Sequence, residues 1–215
     1  MTDRPDDQPP DLRRYAPAVA RNRAPILEVL RRVLPPQGCV LEIASGTGEH
    51  AAFFAPRLAP RQWQPSEAGA DALPGIEAWR RHAGASNLRP AIVLDAGAPV
   101  WPVESAAWDG PPISAITAIN LVHISPWRTC QGLMAGAGRL LGPGGVLYLY
   151  GPYRLDGAHT APSNAEFDRS LRARNPAWGV RERDAVSAEA ARHGLRRTDW
   201  VAMPANNFSL VFEKS

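Results

Sequence analysis

Lysine is almost missing from this chain of 215 residues: Lys214 is the only one, and arginine supplies the other 23 of its 24 basic side chains. No arginine tract accompanies the bias, and against 21 acidic residues the net charge is only +3. So small an excess leaves no electrostatic footprint for nucleic acid. Cysteine is scarce as well. Cys39 and Cys130 lie far apart, in no metal or redox spacing, and Cys39 opens an apolar run where a free thiol behaves as a small hydrophobe. A reducing compartment suits such a chain, and the cytoplasm is the expected location. The opening Met-Thr-Asp-Arg-Pro-Asp-Asp is polar and acidic, whereas a signal peptide needs an apolar core. No apolar run approaches the roughly 18 residues of a membrane span, so no membrane partner is expected. Zinc spacing, a Ser-His-Asp arrangement and a phosphate-binding P-loop are also missing, which leaves no expected metal.

What is present is an ordinary globular composition, 45% hydrophobic and 21% charged, with an excess of proline spread along the chain as turns and loop ends. Residues 1 to about 17 read as a flexible leader, and 18–215 as one domain. Val19, Arg23, Ile26, Leu27, Leu30, Val33 and Leu34 recur at helical spacing, with Pro25 tolerated if Asn22 caps the helix. Strand and helix signals then alternate. Short apolar strands are expected at Cys39–Ile43, Gln62–Pro65 (the weaker), Ala91–Leu94, Ile113–Leu121 and Val146–Tyr150, with helices over about 49–58, 71–83 and 127–141. That rhythm predicts a parallel sheet covered on both faces. After Tyr150 comes a long Pro-, Gly- and Asn-rich segment, 151–181, with a short helix over Asn164–Arg174. A helix over about 182–193 precedes two strands, Thr198–Met203 and Phe208–Phe212, joined by so short a link that they form a hairpin and make one edge strand antiparallel.

The first constellation with chemistry in it is Leu41-Glu-Ile-Ala-Ser-Gly-Thr-Gly-Glu-His-Ala51. Strand, glycine turn and helix aim backbone N–H groups at a ligand, and Gly46-x-Gly48-x-x-Ala51 satisfies the dinucleotide fingerprint. Glu67 follows 21 residues after Gly46, where one carboxylate can accept both hydroxyls of a ribose. Glu42 narrows the ligand. It would face the pyrophosphate of a nicotinamide dinucleotide unfavourably, which weakens an oxidoreductase reading, but it suits the cationic amino acid part of S-adenosylmethionine. Asp95, at the end of the third strand, either accepts from an adenine amino group or caps the turn at Gly97-Ala98.

Eight ordered blocks make a more specific resemblance. They are Arg21-Asn-Arg-Ala-Pro-Ile, the glycine loop from Leu41 to His50, Trp63-Gln-Pro-Ser-Glu, Ile119-Asn-Leu-Val-His-Ile-Ser-Pro-Trp, Leu149-Tyr-Gly-Pro-Tyr, Ser163-Asn-Ala-Glu-Phe-Asp, Arg174-Asn-Pro-Ala-Trp-Gly and Met203-Pro-Ala-Asn-Asn. With them the chain resembles class I S-adenosylmethionine-dependent methyltransferases, and within that class the methyltransferase-like 26 family. The resemblance implies a doubly wound, mainly parallel, seven-stranded Rossmann-like sheet with an antiparallel last strand, and S-adenosyl-L-methionine as cofactor. Many class I enzymes carry glycine where Ala44 stands, so backbone approach to the cofactor is expected to be tighter there.

The expected cofactor contacts are Asn22, Glu42, Ala44, Ser45, Gly46, Gly48, Glu67, Asp95 and Asn120. His123, after the fourth strand, and Tyr153, after the fifth, are the first and second choices for a general base, needed only if the acceptor arrives protonated. The competing reading of His123, a loop histidine bonded to backbone, is the favoured one. Tyr150, Asn164 and Asn206 are the expected acceptor contacts, although Asn206 or Asn207 can simply build the hairpin turn. Segment 151–181 is expected to wall the acceptor side. The expected activity is in-line methyl transfer to a small-molecule acceptor; the competing reading is a non-catalytic cofactor- or partner-binding module on the same fold. The sequence names neither the acceptor nor an oligomeric state.

Overall fold

The computed structural model describes residues 11–215. Most of the expected leader, residues 1–10, lies outside the described residues; 11–16 run extended along the protein. There the Trp79 indole donates to the Arg14 carbonyl at 2.8 Å and the Tyr15 ring meets Trp79 edge-on. Helix α1 (Pro17–Val33) follows. It starts five residues before Asn22, because Pro17 is preset for a first helical position. Asn22 is therefore no cap. It sits on the buried face with Val19, Ile26 and Leu30, and Pro25 falls inside the helix, withdrawing the N–H that would have bonded the Arg21 carbonyl.

The chain then alternates β1 (Cys39–Ile43), α2 (Glu49–Phe54), β2 (Gln62–Glu67), α3 (Leu73–Ala83), β3 (Ile92–Val93), β4 (Ile113–Ile119), α4 (Trp127–Leu140) and β5 (Val146–Gly151). A small insertion follows: β6 (Tyr153–Leu155), β7 (Ala158–His159), α5 (Pro162–Arg174) and β8 (Arg181–Glu182). The chain closes with α6 (Arg183–Arg192), β9 (Leu195–Met203) and β10 (Asn207–Lys214). The main sheet has seven strands in the order β3-β2-β1-β4-β5-β10-β9, and β6, β7 and β8 form a separate three-stranded sheet that the sequence did not announce.

All main-sheet neighbours are parallel except those of β10, which runs antiparallel to both β5 and β9. The hairpin is as expected, but its antiparallel strand is not the edge. β10 inserts beside β5 with Leu210 opposite Leu149 and leaves β9 outermost. The choice follows burial: Leu210, Val211 and Phe212 are buried, whereas β9 is largely half-exposed. This is the doubly wound, mainly parallel, seven-stranded Rossmann-like sheet expected from the sequence. On one face Leu41, Ile116, Leu147 and Phe212 pack with Met134 of α4 and Val186 of α6; on the other Trp63 and Tyr148 pack with Leu30 of α1 and Phe54 of α2. No helix among the described residues is long and apolar enough to cross a membrane.

Candidate active site

In a doubly wound sheet the ligand crevice opens at the C-terminal strand ends where the strand order reverses, here between β1 and β4. A cavity of about 400 Å³ lies there, and beside it another of about 470 Å³; Ala18, Asn120 and Ile124 belong to the walls of both. A third depression lies at the opposite sheet edge, between Trp108, Pro112 and the 142–145 turn, and its wall holds no charged side chain.

The first cavity is built by the glycine loop. Ala44, Gly46 and Gly48 all adopt positive φ (57°, 58° and 86°), so the chain reverses sharply from β1 into α2. The two glycines serve different ends. At Gly46 a Cβ would meet nothing within 4 Å, because that Cα faces the cavity. At Gly48 a Cβ would fall 2.8 Å from the Ile76 Cα, so that glycine lets α2 close on α3 and does not line the cavity. Ala44 bears a Cβ in a conformation that costs an L-residue roughly 1–2 kcal/mol.

Glu42 is buried at 2% exposure beneath this loop. Its Oε2 accepts from the Ser45 hydroxyl at 2.9 Å and the Trp63 indole at 3.2 Å, while Oε1 has no donor among the described residues. Burial pushes its pKa up to about 7, the two hydrogen bonds pull it back, and the charge of Glu67 adds to the rise. A carboxylate held in this way lacks a cation. Glu67, at the end of β2, braces the loop by accepting from the Gly46 N–H and from its own neighbour, the Ala68 N–H, both at 2.9 Å. A carboxylate has further lone pairs, so two hydroxyls can still be accommodated from the cavity side. Of the expected cofactor contacts, Glu42, Ala44, Ser45, Gly46, Glu67 and Asn120 line this cavity.

Asp95 is exposed on the loop after β3 and outside the cavity wall; its Oδ1 accepts from the Gly97 N–H at 2.8 Å, the turn-capping alternative. Asn22 faces the second cavity, where its Oδ1 accepts from His50 Nε2 at 2.9 Å. Sequence reasoning gave no role to His50, although it stands in the quoted glycine-loop block. Its ring stacks on Phe54, and burial, helped by the charge of Arg23, drops its pKa to about 4. Thr47 and the apolar Ala16, Val19, Ile119 and Leu121 complete the wall; apolar lining of this kind leaves no mark in a sequence.

The second cavity gathers Tyr150, Asn164 and Asn206, the three expected acceptor contacts, with Arg21, Ser163 and Phe167. The Asn164 amide donates to the Thr160 hydroxyl at 3.0 Å and to the Asn206 carbonyl at 2.9 Å, tying α5 to the β9–β10 turn. Asn206 also builds that turn, at φ 58°. Asp168 stands one turn further along α5 and faces away from the cavity, accepting from the Val180 N–H and the Arg172 guanidinium. Segment 151–181 therefore contributes one wall, on the same side as the glycine loop.

His123 and Tyr153, the two expected bases, are not brought to either wall. Both are fully buried, and among the described residues neither ring nitrogen of His123 nor the Tyr153 hydroxyl has a hydrogen-bond partner. His123 lies under Gly151, whose missing Cβ leaves room for the ring, and its T-shaped neighbour is Phe167. Desolvation, with the charge of Arg181, lowers its pKa to about 3. Tyr153 packs into the core towards Trp200, and burial drives its pKa well above 10. Tyr150, on β5, packs with the α1 layer and reaches the cavity, whereas Tyr153, which opens β6 in the second sheet, packs into the opposite layer.

Comparison with solved structures agrees with the sheet. A putative O-methyltransferase from Nostoc punctiforme superposes with a TM-score of 0.73 at 17% identity, over 89% of this chain and 55% of that one. An O-methyltransferase family 2 protein from Planctomyces limnophilus, solved in complex with apigenin, gives 0.70 at 17% identity, over 90% and 62%. CalO1, a methyltransferase of calicheamicin biosynthesis solved with SAH bound, gives 0.67 at 14% identity, over 90% and 54%. The chain spans little more than half the length of these proteins, and at such identities the likeness is one of fold. A family model described as "Protein of unknown function (DUF938)" matches residues 13–214, nearly the whole sequence, and the chain belongs to that family.

Proposed function

We propose that this chain is an S-adenosylmethionine-dependent methyltransferase acting on a small-molecule acceptor by in-line transfer, of the methyltransferase-like 26 kind. The observation that carries the reading is Glu42: a buried carboxylate with one unpartnered oxygen, at the base of a cavity built by a glycine loop and flanked by Glu67. The solved relative with SAH bound and the one with apigenin bound support the same pairing of donor and small acceptor.

When bound, the cofactor supplies a methyl group on a cationic sulfur. Glu42 would neutralise the cationic amino acid part, and Glu67 would accept the ribose hydroxyls. Gly46 leaves the backbone open to close approach, with Ala44 and Ser45 beside it. Asn120, in the left-handed region at φ 62° and common to both cavities, would stand between donor and acceptor. Alignment of the two reactants can supply much of the rate enhancement without a metal. Cys39 and Cys130 are free and buried, in keeping with a cytoplasmic setting. Isothermal titration tests the reading. S-adenosylmethionine should bind and NADH should not, and Glu67→Ala should weaken binding about tenfold or more by removing charge-assisted hydrogen bonds. Unchanged affinity in that variant would remove Glu67 from the site, and no binding by the parent protein would refute the assignment.

A further inference from the structure

The second cavity holds, among the described residues, no aspartate, glutamate, histidine, lysine or cysteine in its wall. Its one charged group is Arg21, near the start of α1, exposed and with no carboxylate partner among the described residues. Further donors are at hand. Asn22 gives its Oδ1 to His50 and turns its amide towards the Tyr150 oxygen, which leaves a second amide N–H for the cavity; the Asn120 side chain makes no hydrogen bond among the described residues; the Tyr150 hydroxyl adds a third donor. Arg21 is thus joined by two neutral amides and a phenol, an arrangement of donors with no opposing negative charge. Phe167, Ile124 and Pro152 supply the apolar remainder.

Such a wall can hold an anion but cannot take a proton from a neutral alcohol or an ammonium. His50, the one imidazole in either cavity wall, belongs to the donor cavity and commits Nε2–H to Asn22. Tyr150 could act as a base only as a phenolate, which burial disfavours. His123 and Tyr153 are sealed in the core.

We infer that the second cavity takes a small organic carboxylate and that the product is its methyl ester. This rests on the methyltransferase reading above and adds the acceptor's class to it. The balance is simple. A carboxylate oxygen forms the new O–CH3 bond as the C–S bond of the S-adenosylmethionine sulfonium breaks, its electron pair staying on sulfur; S-adenosylhomocysteine and a neutral ester result, and no proton moves. A carboxylate is ionised at neutral pH, so no base is needed, and bidentate pairing with the Arg21 guanidinium is the geometry that such a group favours. The ester carries no charge, so its hold on Arg21 is lost and release follows.

The test begins with binding, independent of turnover. Benzoate, phenylacetate, cinnamate and hexanoate, each paired with the alcohol of the same skeleton, are titrated into protein saturated with S-adenosylhomocysteine. Carboxylates should bind about tenfold or more tighter than their alcohols, and Arg21→Gln should remove that preference while leaving S-adenosylhomocysteine affinity unchanged. Arg21 is exposed on a helix, so this variant should keep its fold. With S-adenosylmethionine at saturation, methyl transfer should run at a rate flat between about pH 6 and 9, and mild alkali should then release the methyl from the product as methanol. Equal binding of alcohols and acids, carboxylate binding indifferent to Arg21→Gln, or an alkali-stable methyl product would each overturn the assignment of a carboxylate. Donor binding with no carboxylate bound or methylated would do so as well, leaving the methyltransferase reading intact. Failure to bind the donor at all is the distinct result that sinks both.

Discussion

Glu42 gives the sharpest quantitative test, because one buried carboxylate should control both stability and donor affinity. Below about pH 4.5 its side chain is protonated in the folded and unfolded chains alike, and burial costs little. Between 4.5 and about 7 the unfolded chain ionises while the folded one keeps its proton. The folded state then binds more protons, so stability falls as pH rises through this window. At about 1.4 kcal/mol per pH unit, the loss approaches about 3 kcal/mol near pH 7 and grows no further above it. Glu42→Gln keeps an acceptor for Ser45 and Trp63 but has no charge to bury, so it should be more stable than the parent at pH 8 and nearly equal to it at pH 4.5. Donor binding should change the other way. A cationic ligand favours the ionised form, so parent affinity should drop about tenfold per pH unit below 7, with proton uptake by the buffer as donor binds. The variant should bind donor about tenfold to a hundredfold more weakly, with that pH dependence gone. Thermal denaturation from pH 4.5 to 8, and titration calorimetry in two buffers of different ionisation enthalpy, measure both effects. Parallel stability–pH curves for parent and variant, together with equal donor affinities, would refute the reasoning.

Other substitutions separate packing from chemistry. Tyr153→Phe removes a buried hydroxyl that has no partner, so it should raise stability by about 1–3 kcal/mol in denaturant titration and leave methyl transfer unchanged; a large loss of turnover would place the hydroxyl in the reaction after all. Gly48→Val forces a side chain against the Ile76 backbone in a left-handed conformation, so the protein should lose several kcal/mol of stability even without ligand, where an effect on donor binding alone would contradict the packing role. Asn164→Ala unties α5 from the 203–207 turn and should cost about 1–2 kcal/mol, with donor affinity kept and acceptor binding weakened; hydrogen exchange confined to α5 and that turn would confirm where the tie acts.

The elements that build the first cavity were legible from local pattern. An apolar run too short for a helix, a glycine-bearing turn and an amphipathic stretch define strand, loop and helix over Cys39–Phe54. A fixed offset of 21 residues from Gly46 then brings Glu67 beside the loop, because neighbouring parallel strands end together. The same short-range logic failed wherever a side chain's facing was decided by distant packing. Asn22 has the residue type of a helix cap, but Pro17 sets the helix start earlier, and the inner face of α1 turns Asn22 to His50. Gly48 satisfies a cofactor fingerprint, yet the element its missing side chain admits is α3. Asp95 has two uses in the sequence, and the turn after β3 takes it. His123 and Tyr153 follow the strands that form the pocket, but the chain turns through the left-handed region at Asn120 and leaves the main sheet after Gly151, and both rings are buried behind the wall. Even the rank of the antiparallel strand was a matter of tertiary choice: a hairpin can dock by either arm, and the more apolar β10 took the inner place against β5. Periodicity and spacing reach only a turn or a strand along the chain. Which face of an element is buried, and therefore which polar group meets a ligand, is settled by the layers that close over it.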